Sequence, residues 1–257
     1  MSKLARVAES VVRRSLLAGL RILRRGGVRP SDAVLTRPAI ARMFLKGQGI
    51  EIGGLHLPLE VPSDVTVLYV DRMPVSELRK HYPELRDEKL VEVDVIADGE
   101  TLDVIPDGSQ DFVIAKGFLE HCRNPLAAVR HMMRVLKMGG ILYLAIPDKQ
   151  LTFDRDRPVT PLAHVLADFQ GKPPRDRRED FEEWTRLVYK IEDEAERKRR
   201  TDELLAMDYS IHYHVWTQVE MLELLVSFRR DLGLSFSVEL ICPIRYEVDI
   251  VLRKSED

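Results

Sequence analysis

The stretch that decides the fold is Gly49-Ile-Glu-Ile-Gly53-Gly54, which is typical of a short buried strand ending in a glycine turn. Twenty residues after Glu51, the run Val67-Leu-Tyr-Val-Asp71 is a second apolar strand, and it ends in an acid. A carboxylate at the end of an apolar strand is a common means of binding the hydroxyls of a ribose. The two runs together predict a nucleotide-type ligand at the carboxyl ends of a parallel sheet.

Short runs rich in Val, Ile and Leu recur along the chain and alternate with helical patterns. This alternation predicts right-handed βαβ crossovers and a mostly parallel sheet covered on both faces. One helix should be capped by Asn124, begin at Pro125 and stop at Gly139-Gly140, and Thr217-Gln-Val-Glu220 is a capping box for a later one, at about 221–228. We also expect a short helix at about 38–45 and strands at about 48–53, 66–71, 90–95, 111–116, 141–146, 235–242 and 246–253.

Between the fifth strand and the capping box, residues 154–206 are dominated by charged side chains. Phe181, Trp184 and Val188 nevertheless recur at helical spacing, so one face of this segment should be apolar. We therefore expect a helical insertion. Because it follows directly from a strand end, it could cover the site at that edge of the sheet.

Composition limits the function classes. The chain has 257 residues, 45% of them apolar and 32% charged, which suits a globular protein. Its two cysteines, Cys122 and Cys242, form no disulfide framework, so we expect a reducing, cytoplasmic environment. No run approaches the roughly 18 consecutive apolar residues of a membrane span, and no secretory signal is evident.

The charge is unevenly distributed. Residues 1–46 carry 11 Lys and Arg against two acids, whereas the rest of the chain has 28 bases and 40 acids. We expect a basic helical arm at 1–46, which either binds anionic lipid or packs on the acidic body at 47–257. We do not expect nucleic acid as a partner, because the body is acidic and lacks an array of aromatic and basic residues.

Two further runs complete an order of motifs, namely Asp111-Phe-Val-Ile-Ala-Lys-Gly-Phe-Leu-Glu120-His121 and Val135-Leu-Lys-Met-Gly139-Gly140-Ile-Leu-Tyr-Leu-Ala-Ile-Pro147. The four runs resemble the class I S-adenosylmethionine-dependent methyltransferases, over about residues 47–150. The resemblance implies a Rossmann-like α/β sheet that is mostly parallel and ends in an antiparallel hairpin. It also implies methyl transfer with S-adenosylmethionine as the cofactor.

The resemblance assigns cofactor contacts to the loops after the first three strands. Asp71 would bind the ribose hydroxyls, Asp98 the adenine amino group and the Gly99 amide a ring nitrogen. Glu51 would bind the amino group of the methionine tail or order the glycine turn formed by Gly53 and Gly54. The usual pattern has a second glycine where this chain has Leu55. A shifted turn at Gly54 could compensate.

Two alternatives remain open at this point. A nicotinamide-binding fingerprint would need glycines in place of Leu55 and Pro58, so a nucleotide-sugar enzyme of that kind is only a weak alternative. A scaffold protein that keeps the fold without catalysis is the other, since Leu55 breaks the turn pattern and no single catalytic base stands out.

Histidine is the side chain best suited to take a proton from a hydroxyl acceptor near neutral pH. His121 follows the fourth strand, and His212 and His214 precede the capping-box helix. An H-x-H pair can also bind metal, but no carboxylate or cysteine lies at a suitable local spacing, so we expect none. The amino-acid sequence of several segments, including Thr152–Thr160 and His212–Trp216, resembles that of bacterial methyltransferases of glycan pathways. We therefore expect a sugar or another small hydroxyl acceptor.

Overall fold

A seven-stranded sheet organises residues 35–256, the part of the chain that the computed structural model describes. The strand order is β3-β2-β1-β4-β5-β7-β6, with β1 to β5 parallel and β7 antiparallel to both of its neighbours. The predicted mixed Rossmann-like sheet with its terminal hairpin is confirmed. The strands are β1 (Gln48–Ile52), β2 (Thr66–Asp71), β3 (Val95–Ile96), β4 (Gln110–Lys116), β5 (Leu136–Pro147), β6 (Phe236–Ile244) and β7 (Glu247–Lys254).

The central strand β1 is buried from Gly49 to Ile52, as its apolar sequence requires. It lies between β2 and β4, with Gly49 opposite both Val67 and Phe112. A Cβ atom on Gly49 would stand 2.2 Å from the carbonyl oxygen of Phe112. Only glycine therefore allows β1 and β4 to pair at this distance, and their pairing sets the edge at which the loops converge.

Seven helices cover the sheet or extend from it within the described residues. Side-chain caps begin several of them, with Asn124 accepting from the Ala127 amide and Asp176 and Thr217 each forming a capping box. The predicted caps are confirmed. The helices are α1 (Arg37–Phe44), α2 (Val75–His81), α3 (Pro125–Val135), α4 (Leu162–Phe169), α5 (Arg177–Leu187), α6 (Glu194–Ala206) and α7 (Gln218–Arg230).

Helix α1 is held against the outer strands by a buried ion-pair network. Arg37 donates to Glu247 at 2.7 Å and to the fully buried Asp249 at 2.8 Å, and Tyr143 donates to the same aspartate. The last residues of the predicted arm thus pack on the body of the protein. Residues 1–34, where the basic helix was predicted, lie outside the described residues.

The third strand is shorter and later than predicted. Only Val95 and Ile96 pair with β2 as a strand, although the Asp94 amide also donates to the Tyr69 carbonyl of β2 at 2.9 Å. Asp94 accepts from the Tyr69 amide through its carboxylate at 2.8 Å, and the Val91 amide donates to the Leu55 carbonyl at 2.8 Å. The Asp94 carboxylate takes the Tyr69 amide and the glycine-turn loop takes the Val91 amide, so the strand does not extend back to residue 90.

The predicted stop of α3 at Gly139-Gly140 is wrong. The helix ends at Val135, because Leu136 is extended and begins β5. The Lys254 ammonium donates to the Met133 and Leu136 carbonyls, which satisfies acceptors at this helix end. Gly139, with φ of +77°, lies instead within a bulge where β5 shifts register against β4.

The predicted helical insertion is present as α4, α5 and α6, and it follows two short 3₁₀ turns, Lys149–Leu151 and Phe153–Asp156. Helices α5 and α6 form a separate small core around Phe181, Trp184 and Val188, with Leu204 and Ile211. Helix α4 packs on the main core through Val165. In residues 35–256 no helix is both long and apolar enough to cross a bilayer.

Candidate active site

The turn after β1 has the backbone shape that a glycine-rich cofactor loop needs. Gly53 adopts φ of +63°, and no atom lies within 4 Å of the position its Cβ would take. Leu55, which occupies the place of the missing glycine, has φ of +45°. A leucine in this left-handed region costs roughly 1–2 kcal/mol, so the loop keeps its path despite the substitution and stores some strain.

The Glu51 carboxylate orders this loop from inside the protein. It is 1% exposed, and its two oxygens accept from the Leu59 amide at 3.0 and 3.1 Å. Burial raises the pKa of Glu51 to about 7, against the opposing effects of the Leu59 hydrogen bond and of Lys116. Of the two roles predicted for Glu51, this geometry corresponds to loop ordering.

The two other acids assigned to the cofactor lie at the same edge of the sheet. Asp71 ends β2 and accepts from the Arg72 amide at 2.7 Å, and burial raises the pKa of its carboxyl. Asp98 is exposed after β3 and accepts from the Glu100 amide at 2.8 Å. Gly99 follows Asp98 directly, and a Cβ atom at this position would stand 2.5 Å from the Ile52 side chain and 2.7 Å from the Phe118 ring.

These residues fit S-adenosylmethionine. Gly53 leaves open space beside the first loop, and Gly99 allows the backbone after β3 to lie against Phe118 where any larger residue would clash. The carboxylates of Asp71 and Asp98 follow neighbouring strands, so a ribose and an adenine can be bound side by side. All six residues predicted for the cofactor lie in the loops and strand ends of β1, β2 and β3.

A second group of side chains lies at the end of β4. Glu120 and His121 belong to a 3₁₀ turn, Leu119–His121, and His212 comes from the segment that follows the insertion. The segments meet because the Tyr213 and His214 amides both donate to the Glu120 carbonyl, at 2.8 and 3.2 Å. We call Glu120, His121 and His212 the acceptor cluster.

The hydrogen bonds of the two rings determine which nitrogens remain free. His121 Nδ1 lies 2.9 Å from both the Ile211 carbonyl and the Ser210 hydroxyl, and because the carbonyl can only accept, the tautomer that bonds to it carries the proton on Nδ1. His212 Nδ1 lies 2.6 Å from Asp154 Oδ2 and donates to it. Both Nε2 atoms are therefore left with a lone pair when the rings are neutral. The rings meet edge to face with centroids 4.6 Å apart.

Glu120 completes the cluster as a third acceptor. Its side chain is 2% exposed, Oε1 lies 3.9 Å from His212 Nε2, and Oε2 has no hydrogen-bond partner. Burial raises the pKa of Glu120 to about 7, although His212 opposes this, and burial followed by the charge of His212 lowers the pKa of His121 to about 3. Glu120 is therefore the member of the cluster whose pKa suits it to accept a proton near neutral pH, whereas His121 stays neutral there and offers a lone pair.

A buried chain of charges holds His212 in place. Asp154 accepts from His212 and from Arg157 at 2.9 Å, and Arg157 donates to Glu183 at 3.0 Å. Burial opposes ionisation of Asp154, but His212 and Arg157 outweigh it and keep the pKa of this carboxyl below its usual value. The Phe153 ring lies beside His212 with centroids 4.9 Å apart. The insertion therefore supports the second predicted catalytic histidine.

His214 lies apart from this cluster, and neither of its ring nitrogens is free. Nδ1 donates to the Cys122 carbonyl at 3.1 Å, and Nε2 is 2.9 Å from Asp168 Oδ2. The ring also stacks on Trp216. His214 therefore has no lone pair available to a substrate, and we assign it a structural role in place of the catalytic one considered from the sequence.

Sequence reasoning missed Glu120, Asp154 and Arg157 as functional residues. Glu120 stands in a quoted motif, and Asp154 and Arg157 lie in the segment Thr152–Thr160, yet nothing in their local spacing relates them to His212. The expectation from the sequence that no metal is bound has the same limit, because it considered only ligands close to the histidines in the chain. The carboxylate that faces the histidine comes from position 120, 92 residues before it in the chain.

Residues 48–144 match the family model described as a methyltransferase domain. The match begins in β1 and ends in β5, so it contains the six candidate cofactor residues and Glu120 and His121. The match covers less than half of the chain and shows a methyltransferase domain at residues 48–144, a kind of domain that takes S-adenosylmethionine as its cofactor, in line with the sequence resemblance. It gives no support to the nicotinamide alternative.

Solved structures with similar folds are distant in sequence. One from Rhodobacter sphaeroides, described provisionally as a Zn-dependent alcohol dehydrogenase, shares 14% identity over 89% of this chain and 92% of its own, with a TM-score of 0.51. A SAM-dependent methyltransferase from Methanosarcina mazei shares 15% identity over 87% of this chain and 100% of its own, with a TM-score of 0.47. A CurJ carbon methyltransferase structure shares 14% identity over 90% of this chain, with a TM-score of 0.44. This chain spans only 50% of the length of that structure. The comparison with curated proteins found no match.

Proposed function

We propose that the protein transfers the methyl group of S-adenosylmethionine to a hydroxyl of a sugar or another small acceptor. The observation that carries this proposal is the acceptor cluster, in which Glu120, His121 and His212 each bring one possible acceptor atom within 4.8 Å of the other two. No donor from the described residues pairs with Glu120 Oε2. An acceptor hydroxyl supplies the missing donor and is held by the group that removes its proton.

Bound S-adenosylmethionine supplies a methyl carbon that is already activated by a sulfonium. The chain then has to align the acceptor oxygen, exclude water and receive one proton. Gly53, Asp71 and Asp98 serve the cofactor side. On the acceptor side, the proton of the hydroxyl passes to the cluster as its oxygen bonds to the methyl carbon and the carbon–sulfur bond breaks.

The insertion supports water exclusion on the acceptor side. Trp184 is 6% exposed, and its ring lies 5.8 Å from that of His212 between centroids. Phe153 contacts both rings. A water-poor environment strengthens each hydrogen bond to the reacting oxygen. The choice of a sugar rests on the glycan-pathway resemblance of the sequence, because a hydroxyl on any small molecule satisfies the same cluster.

The test begins with the full-length protein, labelled S-adenosylmethionine and a panel of sugars, nucleotide sugars and surface polysaccharides. We expect a mass increase of about 14 Da on one acceptor class and its loss from the glycans of cells that lack the gene. His212→Ala should lower turnover about 10²–10⁴-fold, the usual effect of removing a positioned base, and His121→Ala should lower it through loss of a group that positions the acceptor oxygen. His131→Ala, a histidine in α3 outside the cluster, is the matched control and should retain activity.

Three outcomes would contradict the proposal. If both cluster variants stay within a few fold of the wild type, the cluster does not carry the proton. If methyl label appears on nitrogen or carbon only, the hydroxyl assignment is wrong. If the protein binds S-adenosylmethionine and yields no methylated product across the panel, the scaffold alternative is favoured.

A further inference from the structure

We propose that the acceptor cluster binds one divalent transition-metal ion, through His121 Nε2, His212 Nε2 and one carboxylate oxygen of Glu120. The inference rests on the proposed function, because the acceptor hydroxyl would take the open coordination position. Two imidazoles and one carboxylate form a ligand set used for Zn²⁺ and Fe²⁺. The set does not suit Mg²⁺ or Ca²⁺, which prefer oxygen ligands.

The first argument is that hydrogen-bond acceptors from three side chains lie close together without a donor among them. Both Nδ1 atoms donate away from the cluster, so both Nε2 atoms carry lone pairs, and Glu120 adds a carboxylate. One ligand atom from each residue can be chosen so that all three lie within 4.8 Å of one another. Acceptor atoms this close, in a region with little water, call for a cation or a shared proton between them.

The second argument is the set of groups behind the two histidines. A metal-bound histidine commonly donates its other nitrogen to a carboxylate or to a backbone carbonyl, which fixes the ring and strengthens the ligand. His212 donates to Asp154 at 2.6 Å, and His121 donates to the Ile211 carbonyl at 2.9 Å. Both arrangements are therefore already in place, and Asp154 is itself held by Arg157.

The third argument is Glu120 itself. Its carboxylate is buried and Oε2 has no partner, and Oε1 lies 3.9 Å from His212 Nε2. Metal bonds of about 2.0–2.2 Å in a tetrahedron place ligand atoms about 3.3 Å apart, so a small rotation of the Glu120 side chain brings its carboxylate to that distance from His212 Nε2. If one oxygen binds the metal, the other is free to take the proton of the coordinated hydroxyl.

A second group of possible ligands, His164, Asp168 and His214, does not share these properties. His214 has both nitrogens bonded within the protein, and one of those bonds goes to Asp168 itself. Arg123 and Arg175 line the same cavity, and their charges oppose a cation. We therefore place the metal only in the acceptor cluster.

The experiment measures metal binding without S-adenosylmethionine, so its result does not depend on methyl transfer. The full-length protein is stripped with a chelator and titrated with Zn²⁺ by calorimetry and with Co²⁺ by visible absorption. We expect one ion per chain and Co²⁺ bands typical of nitrogen and oxygen ligation. His212→Ala should abolish stoichiometric binding, and Asp154→Asn should weaken it about 10–100-fold.

Glu120→Gln guards against a folding artefact, because it is nearly isosteric and should weaken Zn²⁺ binding with an unchanged circular dichroism spectrum. His164→Ala is the control and should bind as the wild type does. No stoichiometric ion, or binding lost in His164→Ala but kept in His212→Ala, would overturn the metal site. If metal-free protein is fully active on a hydroxyl acceptor, the metal site is refuted and the proposed function stands. If the protein binds the metal but methylates no hydroxyl, the metal site stands and the proposed function is refuted.

Discussion

Replacing Glu51 with glutamine should change the pH dependence of stability by an amount that the structure defines. The carboxyl is 1% exposed, and burial raises its pKa from about 4.5 to about 7. A carboxyl with a raised pKa in the folded protein favours folding most at low pH, where it is neutral in both states. That contribution declines from about pH 4.5 and is gone above about pH 7, because the folded protein must then hold a buried charge.

The size of the effect follows from the two pKa values. Each pH unit between them corresponds to about 1.4 kcal/mol, so ionisation of Glu51 costs about 3 kcal/mol in total. Between pH 5 and pH 8 the wild type should lose about 2–3 kcal/mol of unfolding free energy to this group. Glu51→Gln cannot ionise, so its stability relative to the wild type should rise by the same amount over that range.

Urea unfolding at pH 5, 6, 7 and 8 measures the effect, with the fluorescence of the buried Trp184 and Trp216 as one probe and circular dichroism as another. The quantity of interest is the difference between variant and wild type. Loss of a hydrogen bond to the Leu59 amide shifts that difference equally at every pH. Glu60→Gln, the same substitution at an exposed neighbour, should show no trend. A pH-independent difference for Glu51→Gln would refute the reasoning.

Other predictions concern the cofactor edge and the arm. Asp71→Asn should weaken S-adenosylmethionine binding by about 1–3 kcal/mol in calorimetry, since it removes charge-assisted bonds to the ribose, with the exposed Asp64→Asn as control; equal affinities would exclude Asp71 from the site. Gly99→Ala should destabilise the fold by about 1–3 kcal/mol in urea, because its Cβ would lie 2.5 Å from Ile52, and unchanged stability would show that the contact relaxes. If the basic arm binds lipid, full-length protein should sediment with acidic liposomes at low salt and dissociate as salt rises. A form starting at Leu35, which keeps the Arg37 ion pairs, should not sediment; equal sedimentation would assign the arm to intramolecular packing.

Features that depend on a few neighbouring residues could be predicted from the sequence. The buried strand β1, the acid at the end of β2 and the Asn124 and Thr217 caps each have a local cause, and each is found where expected. The third strand could not be located, because the Asp94 side chain and the Leu55 carbonyl replace its ladder. The first of these contacts joins the segment to β2 and the second joins it to the glycine-turn loop, and neither leaves a periodic pattern in the sequence.

The same distinction applies to the candidate site. The candidate cofactor residues lie at the ends of β1 and β2 or within a few residues after β1 and β3, so a local motif marks each of them. The acceptor cluster has no such mark, because it joins Glu120 to His212 and His212 to Asp154 across an insertion. The histidines were predictable by residue type, but the hydrogen bonds that separate His212 from His214 appear only in the folded protein.

The candidate cofactor residues and the acceptor cluster depend on different parts of the fold, so these two halves of the site can change separately. The cofactor loops are built on the sheet, whereas His212 depends on Asp154, Arg157 and Glu183, and the last of these lies in α5 of the insertion. Trp184, in the same helix, packs against Phe153, which in turn lies beside His212. Substitutions in α5 should therefore alter the position of the acceptor oxygen while Asp71 and Asp98 keep their places. An insertion with its own apolar core can thus adapt the protein to a different acceptor without loss of the cofactor.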